Sequence, residues 1–373
     1  MKPKLRVGLI GLGKMGMSHC AIVRTHPACD LVGVCDSSRY VLDVLERYAG
    51  LRCYTDYRQL VDEGSLDCVI VATPSRSHSE IVRYALERGL HVFCEKPFSL
   101  DPTEGRELVA LAQQRKVVNQ VGYHYRFVSV FQEAKRLVDA GALGRIHHIH
   151  AAAYGPVVLR PRGSTWRSAK SEGGGCLYDY ASHAVDLVNY LVGKPRGVSG
   201  VALNKIFSRD TDDEVYATLH FHDGLTGQLA ANWSDESYRR MTTQVTLWGT
   251  AGKLFVDRQE CRVYLRHAPG PPHNLSAGWN VRYTTDLIQP VWFYLRGEEY
   301  SAQLDHFLDH ARHGRLDNMN SFLSAIEVDE VVHMIATAEQ AASAAGIPSP
   351  TQGTTRRWRW PLSRLFHRAS PQR

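Results

Sequence analysis

The stretch Gly11-Leu12-Gly13-Lys14-Met15-Gly16 decides the fold of this chain, because it follows an apolar run at residues 5–10 and opens a helix-like run. In a G-x-G-x-x-G turn, the first glycine permits the tight bend and the second lets the backbone approach a pyrophosphate. The third glycine lets the helix pack closely on the strand, and the helix N-terminal amides bind phosphate. The stretch predicts a dinucleotide site with Gly11, Gly13, Lys14, Met15 and Gly16 at the cofactor.

Strand-like and helix-like stretches alternate outward from this loop. Apolar strands are predicted at residues 31–35, 68–72, 91–94 and 117–121, and helices at 15–25, 39–49, 78–88 and 102–114. Continuous apolar strands separated by helices indicate a parallel sheet covered on both faces. We therefore expect an α/β protein whose N-terminal Rossmann domain spans residues 1–123.

The second strand ends in Asp36, 20 residues after Gly16. A carboxylate at this place accepts hydrogen bonds from a ribose diol and repels a 2′-phosphate, which favours NAD. Ser37 and Arg39 follow, and an arginine here can also hold a 2′-phosphate. NADP therefore stays open as the alternative, as does a purely solvent-facing role for Arg39.

Two further loops follow strands of the same sheet, and ligands bind beyond the carboxyl ends of such strands. Thr73-Pro74, with His78 soon after, is expected over the cofactor, although it also has the composition of a helix start. Glu95-Lys96-Pro97 closes the strand at 91–94, and Pro97 biases Lys96 toward an extended backbone. Lys96 then reaches the ligand, or it belongs to a solvated Glu-Lys turn.

A second group of polar residues follows Gly173-Gly174-Gly175, which opens a helix-like stretch through Leu191. Asp179 and His183 are four residues apart and so share one face of a helix. A carboxylate in this position orients the imidazole and stabilises its protonated form, as general acid–base chemistry requires. A structural histidine is the alternative.

The pattern changes to alternating runs between residues 195 and 266, with turns such as Asp223-Gly224 between them. Such runs predict an antiparallel sheet. Residues 267–282 are expected to form a loop rich in proline and glycine, and late helices are predicted at 299–313 and 319–345.

Composition narrows the class of protein. The chain has 373 residues, 44% hydrophobic and 22% charged, which is ordinary for a globular protein of about two domains. Its net charge of +6 equals the six arginines of residues 354–373, so the remainder is balanced and no nucleic-acid surface is expected. No apolar run reaches the roughly 20 residues of a membrane span. Eight scattered cysteines without a C-x-x-C pair fit reduced thiols of a cytoplasmic protein.

These motifs together resemble the Gfo/Idh/MocA oxidoreductases. The resemblance lies in the glycine loop, Asp36, Thr73-Pro74, Glu95-Lys96-Pro97 and the stretch from Gln120 to Phe127, and it covers roughly residues 5–346. It implies catalytic roles for Lys96, Asp179 and His183, and a C-terminal α+β domain at 124–346 with a large open, mainly antiparallel sheet. It also implies a homodimer or homotetramer formed through that sheet. The family often has glycine between the aspartate and the histidine, whereas this chain has Tyr180-Ala181-Ser182.

The implied activity is NAD(P)-dependent hydride transfer at a secondary alcohol or ketone of a sugar, inositol or aminocyclitol. Weaker candidates for contacts with this small polyhydroxylated substrate are Tyr123, Tyr154, Trp166 and Tyr180. A reductase of nucleotide-linked keto sugars remains an alternative. So does a non-redox relative, either a glycosidase-like enzyme or a dinucleotide sensor.

Three remaining features are not assigned a definite role in binding or catalysis. His147, His148 and His150 are not expected to bind metal, because neighbours in a strand point to opposite faces. The stretch 160–167 is either part of a substrate loop or an exposed connection. The basic tail at 347–373 is expected to be disordered or to pack on another subunit rather than to lie on a membrane.

Overall fold

The computed structural model describes residues 3–157, 166–268 and 275–344. Its first part is a six-stranded parallel sheet with helices between the strands. The strands are β1 (Leu5–Ile10), β2 (Cys29–Cys35), β3 (Cys53–Tyr54), β4 (Cys68–Val71), β5 (His91–Cys94) and β6 (Asn119–Val121). The helices are α1 (Lys14–Thr25), α2 (Arg39–Ala49), α3 (Tyr57–Glu63), α4 (His78–Glu87) and α5 (Pro102–Arg115).

The strand order of this sheet, β3-β2-β1-β4-β5-β6, confirms the expected Rossmann topology. The order reverses between β1 and β4, and the crevice beyond the carboxyl ends of the strands at such a point is where ligands bind. Strand β4 is fully buried, and so is β5 after its first residue, His91, because helices cover both faces, which explains their apolar sequences. The short strand β3 and helix α3 were not predicted. Asp56 caps α3 by accepting a hydrogen bond from the Arg58 amide at 2.9 Å.

The second part of the chain forms an eight-stranded sheet with the order β14-β13-β12-β11-β7-β10-β9-β8. Its strands are β7 (Ile146–Tyr154), β8 (Gly197–Asn204), β9 (Glu214–His220), β10 (Thr226–Asn232), β11 (Thr242–Gly249), β12 (Gly252–Val256), β13 (Glu260–Leu265) and β14 (Gly278–Tyr283). Helices α6 (Ser129–Asp139) and α7 (Ser182–Val192) pack against the inner face of this sheet. All pairs are antiparallel except β7 with β10, so the mainly antiparallel sheet is confirmed.

The expectation of a loop over residues 267–282 was wrong at its end. Strand β14 pairs with β13 along the edge of the sheet. Its alternate residues Trp279, Val281 and Tyr283 are exposed, so no apolar face turned to the core marks it in the sequence. Residues 269–274, with all three prolines of that stretch, lie outside the described residues.

The last helices return to the first domain. After the short α8 (Thr284–Leu287), helix α9 (Glu298–His313) packs on one face of the parallel sheet, where Phe307 contacts Phe93 at a ring distance of 5.9 Å. Helix α10 (Phe322–Ala344) packs on the other face, where Phe322 stacks on Phe98 at 4.2 Å. Helices of residues 122–344 thus help to fix the sheet that carries the glycine loop. No helix in the described part of the chain is long and apolar enough to cross a membrane.

Candidate active site

The glycine loop is shaped to receive a dinucleotide. Gly11 has φ of +94°, and a Cβ atom there would lie 2.6 Å from the backbone of Ala72. A Cβ atom on Gly16 would lie 1.8 Å from the carbonyl oxygen of Gly11. A Cβ on Gly13 would meet nothing within 4 Å, so open space faces this glycine at the start of α1. The loop therefore fits a pyrophosphate held by the amides of Lys14, Met15 and Gly16.

Asp36 lies beside this loop at the end of β2. Its carboxylate accepts hydrogen bonds from the Leu12 amide at 2.6 Å and from the Ser38 amide at 2.8 Å. The acid therefore fixes the glycine loop and its own turn while remaining next to the cradle. Ser37 and Arg39 are exposed on the same edge. This arrangement fits the ribose-binding role expected of Asp36.

His78 joins the loop after β4 to the loop after β5. Its ring nitrogens lie 2.9 Å from the carbonyl oxygen of Pro97 and 3.0 Å from that of Thr73. The ring is buried, and burial lowers the pKa of His78. His78 thus positions the exposed Pro74 and the neighbouring Thr73 from beneath, rather than presenting its own ring to a ligand.

Glu95 is likewise a buried support. Its carboxylate lies 2.7 Å from Nε2 of His19 on α1 and accepts a hydrogen bond from the Lys96 amide at 3.2 Å. Gly122 lets this carboxylate lie close, because a Cβ there would be 2.9 Å from it. Glu95 therefore connects the cofactor helix to the backbone of Lys96.

Lys96 reaches across to the second domain and contacts Asp179. Its Nζ atom donates to Oδ1 of Asp179 at 2.8 Å and to the carbonyl oxygen of Asp179 at 2.9 Å. The second carboxylate oxygen of Asp179 accepts a hydrogen bond from Nε of Arg167 at 2.8 Å. A single buried carboxylate is thus held between two cations, one from each domain.

These cations decide the charge of Asp179. Burial raises the pKa of this carboxyl, but the charges and hydrogen bonds of Lys96 and Arg167 outweigh burial and hold the pKa far below its usual range. Asp179 is therefore ionised near pH 7.

His183 lies at the same point of the site, one helical turn on. Its side chain is buried, and its Nδ1 atom has no hydrogen-bond partner among the described residues. Burial, followed by the positive charge of Lys96, lowers the pKa of His183 well below 6.5, although the charge of Asp179 opposes this. His183 is therefore neutral near pH 7 and able to accept a proton.

The part of the chain that the structure describes shows no hydrogen bond between Asp179 and His183, in contrast to the direct orienting contact we expected. Residues Leu177–Ala181 form a π-helical turn, which precedes the α-helix that carries His183. A π-helical turn is wider than an α-helical one, so the i, i+4 relation no longer stacks the two side chains. The carboxylate instead faces Lys96 and Arg167, and it influences His183 only through its charge.

Aromatic rings hold His183 in place. Tyr123, His124 and Tyr125 approach its imidazole edge-on, with ring centroids 6.1, 5.1 and 5.4 Å away. His124 is itself buried and stacks on Tyr300 at 4.7 Å. Burial, followed by the charge of Arg258, lowers the pKa of His124 well below its usual range, so this ring is neutral as well.

The four weaker candidates for substrate contacts differ in where they lie relative to the site. Tyr123 is buried beside His183, and its hydroxyl has no partner among the described residues. Tyr180 is buried against Gly155 and Trp233, and Tyr154 stacks on Tyr238 at 5.5 Å. The side chain of Trp166 lies outside the described residues, as does the basic tail. Of the four, only Tyr123 is shown against a predicted catalytic side chain.

Several polar residues at the site did not stand out in the sequence. Arg167 lies in the stretch that we had considered equally a substrate loop and a connection. His19 and His124 gave no signal beyond being histidines near glycine-rich turns. His147, His148 and His150 lie in β7, where His148 contacts Thr226 at 2.9 Å. Within residues 3–157, 166–268 and 275–344, no group of three or more His, Cys, Asp or Glu side chains could hold a metal ion.

Comparison with known proteins identifies the family. Residues 5–123 match the model of the oxidoreductase family with an NAD-binding Rossmann fold, Gfo/Idh/MocA, and residues 131–255 match the model of the C-terminal domain of the same family. The two models together span most of the chain, which therefore belongs to the Gfo/Idh/MocA oxidoreductases.

Individual relatives are distant but cover most of the chain. The scyllo-inositol 2-dehydrogenase (NAD(+)) of Bacillus subtilis is 26% identical over 84% of this chain and 88% of its own length. The 2,7-anhydro-N-acetylneuraminate hydratase of Escherichia coli is 29% identical over 70% of each chain. A levoglucosan dehydrogenase in complex with NADH and levoglucosan superposes with a TM-score of 0.79 at 24% identity, covering 91% of this chain and 98% of that one. That superposition shows the shared fold.

Proposed function

We propose that this protein is an NAD-dependent oxidoreductase that transfers hydride between the nicotinamide and a secondary alcohol or ketone of a sugar, inositol or aminocyclitol. The observation that carries this proposal is the meeting of Lys96, Asp179 and His183 at the edge of the sheet that bears the glycine loop. A cation and a neutral base are the groups that removal of hydride from a carbinol requires.

Bound NAD would supply the acceptor for the hydride that leaves the carbinol carbon. The residues of the chain manage the proton. Neutral His183 takes the hydroxyl proton as the carbonyl forms, and the Nζ atom of Lys96 donates a hydrogen bond to the same oxygen and stabilises its developing negative charge. Asp179 keeps Lys96 in position by accepting from Nζ at 2.8 Å. In the reverse direction, His183 returns the proton to the oxygen.

The relatives support the substrate class. The Bacillus subtilis protein is named for oxidation of scyllo-inositol with NAD. Asp36 supports NAD over NADP, because its carboxylate stands at the edge of the cradle where a 2′-phosphate would add a second negative charge.

The experiment that tests the proposal measures NADH formation by purified protein with NAD and a panel of inositols, aminocyclitols, anhydrosugars and glycosides. The Lys96→Ala variant and the Lys135→Ala variant, which removes a half-buried lysine of an i, i+4 pair on α6, run alongside. NADH that forms with one substrate class, persists in Lys135→Ala and falls by about a hundredfold or more in Lys96→Ala supports the proposal. Absence of NADH across the panel, with NAD binding confirmed, contradicts it in the oxidative direction.

A second candidate is a reaction without net redox change, since two relatives are named as hydratases. The same panel separates the two functions when products are also followed by mass spectrometry. Product formation without NADH points to the second candidate. NADH consumption with nucleotide-linked keto sugars would instead assign the reductive direction.

We also propose that the protein is a homodimer or homotetramer formed through the outer face of the eight-stranded sheet. Strand β14 and its neighbour expose the large side chains Trp279, Tyr283 and Tyr264 on that face. Apolar surface of this kind is typical of protein interfaces. All eight cysteines are free and all but Cys53 are buried, which supports a reducing, cytoplasmic location.

A further inference from the structure

We propose that Arg167 is a positioning residue of the reaction, which holds Asp179 from the side opposite Lys96 and supplies a second positive charge to the site. The inference rests on the proposed function and adds a residue that acts through Asp179.

The contact itself is direct. Nε of Arg167 donates to Oδ2 of Asp179 at 2.8 Å, while Nζ of Lys96 donates to Oδ1 at the same distance. A carboxylate fixed at both oxygens cannot rotate away from the lysine. Charge-assisted hydrogen bonds of this length are the stronger class of hydrogen bond.

The backbone of Arg167 is anchored at the same place. Its carbonyl oxygen accepts a hydrogen bond from the Gly175 amide at 3.1 Å, just before the π-helical turn that carries Asp179. Gly175 has φ of +112°, and a Cβ there would lie 2.5 Å from the Asp212 carboxylate. Arg167 is therefore tied to the start of the catalytic helix by its main chain and by its side chain.

The segment of Arg167 also contacts the cofactor domain. Glu172, five residues on, lies 3.4 Å from Nε of Arg76, which belongs to the loop after β4. A Cβ on Gly173 would lie 2.8 Å from Leu100 and 3.4 Å from Ser75. Residues 166–175 thus bridge the loop over the cofactor cradle and the helix with Asp179 and His183. A residue in this segment can therefore fix the position of Asp179 and His183 relative to the loop after β4.

The positive charge of Arg167 is expected to raise the rate of the reaction. With Arg167 present, the ion cluster of two cations and one carboxylate has a net positive charge, which stabilises an oxygen that becomes negative. Without it, the charge of Asp179 is compensated by Lys96 alone. Asp179 raises the pKa of His183. We therefore expect that loss of the compensating positive charge of Arg167 raises this pKa further. The fall of kcat at acidic pH, the acid limb of the pH profile for oxidation, then moves to higher pH.

The test compares Arg167→Gln and Arg167→Lys with Arg83→Gln. Arg83 is a matched control, because its side chain is 39% exposed, as is that of Arg167, and it also donates to a carboxylate, that of Glu107 at 2.7 Å. We expect Arg167→Gln to lower kcat about ten- to a hundredfold and to shift the acid limb upward. Arg167→Lys should restore the limb in part, and Arg83→Gln should match the wild type.

A second measurement does not depend on turnover. The unfolding free energies of Arg167→Gln, Asp179→Asn and the double variant, with NAD binding recorded for each, form a double-mutant cycle. We expect the loss of unfolding free energy in the double variant to differ from the sum of the two single losses. We also expect each variant to bind NAD within about twofold of the wild-type affinity.

The outcomes separate the two proposals. A wild-type rate and pH profile in Arg167→Gln overturn the positioning role, as does a loss of rate with an unmoved acid limb, which is the result of a merely structural contact. Absence of coupling in the cycle overturns the contact itself. A wild-type protein that turns over no polyol contradicts the proposed function, while the cycle still decides whether Arg167 holds Asp179.

Discussion

Nζ of Lys96 lies 2.8 Å from Oδ1 of Asp179, although the two residues are 83 positions apart and belong to different domains. Lys96 comes directly after a buried strand of the parallel sheet, and Asp179 comes from a π-helical turn that follows three glycines. π-helical turns are rare and are concentrated at functional sites. This one carries the aspartate that contacts Lys96, so we interpret it as part of the functional site. The ion pair joins the end of β5 to the segment that leads into the helix of His183.

Asp179→Asn should bind NAD normally and lose turnover. The amide keeps the size of the side chain but removes the charge that holds Lys96 and Arg167 in one place. We expect kcat to fall by about a hundredfold, as for removal of a preorganised polar group. Assays of NADH formation check the loss of turnover, and calorimetry checks that NAD binding is unchanged. A variant with more than half of the wild-type kcat would show that the carboxylate is not required.

The pH dependence of kcat should report a base with an unusually low pKa. Burial and the charge of Lys96 lower the pKa of His183 well below 6.5. A base is active when it is deprotonated, so oxidation should remain at its plateau at pH 6.5 and fall only at more acidic pH. His183→Ala should remove this limb and lower kcat by about a hundred- to ten-thousandfold. A limb centred above pH 7 in the wild-type protein would contradict the assignment.

Asp36→Ala should weaken NAD binding and reduce discrimination against NADP. The carboxylate accepts from two backbone amides of the cradle, and its charge is the one a 2′-phosphate would oppose. We expect the Kd for NAD to rise about tenfold and the Kd for NADP to rise less, since hydrogen bonds to charged groups contribute about 1.5–3 kcal/mol. Fluorescence titration with both dinucleotides measures this ratio. Asp43→Ala, an exposed acid on α2, is the control. An unchanged Kd for NAD in Asp36→Ala would place the ribose elsewhere.

The buried pair of Arg126 and Asp186 should matter for stability rather than for chemistry. Two guanidinium nitrogens of Arg126 lie 2.9 and 2.6 Å from Oδ1 of Asp186, and the side chains are only 5% and 1% exposed. Arg126→Met leaves a buried carboxylate without its partner and should cost about 3–5 kcal/mol in denaturant unfolding. Adding Asp186→Leu should recover most of this loss. Arg136→Met, which breaks a more exposed pair with Glu133, should cost about 1 kcal/mol or less. Equal losses in the two single variants would be the contrary result.

Trp279→Asp should dissociate the oligomer that we propose. This side chain is 59% exposed on β14 and lies 5.4 Å from the ring of Tyr264. A charge there opposes burial between two copies of the sheet. Light scattering should show a smaller mass than that of the wild type, whereas Tyr294→Asp, at a position that is 66% exposed and lies outside the sheet, should leave the mass unchanged. A monomeric wild-type protein would refute the interface.

Most of the first domain could be predicted from sequence, because its signals are local, although β3 and α3 were missed. The glycine loop, the buried strands and the helix between them each follow from residues adjacent in the chain, and α2 begins and ends where predicted. Strand β14 could not be predicted, because its large side chains face outward and its partner is supplied by β13. The parallel pairing of β7 with β10 depends on long-range contacts in the same way.

The candidate site shows the same division. Lys96, Asp179 and His183 could be proposed from motifs, but counting residues on a helix wrongly predicted that the Asp179 carboxylate contacts His183, whereas in the described structure it faces Lys96 and Arg167. The π-helical turn changes the direction of the carboxylate, and it packs against β7, β9 and β10, strands that are distant from it in sequence. Arg167 was hidden for a similar reason, since its partner lies 12 residues on and no periodic pattern joins them.

The central claim is that hydride moves from a polyol carbon to NAD under the control of Lys96 and His183. The most direct test follows deuterium from a ring-deuterated polyol that is active in the panel, scyllo-inositol first, into the nicotinamide ring by NMR and mass spectrometry. We expect one deuterium per NADH formed, a primary isotope effect on kcat/KM, and loss of transfer in Lys96→Ala. Product that forms without deuterium in the dinucleotide would contradict it.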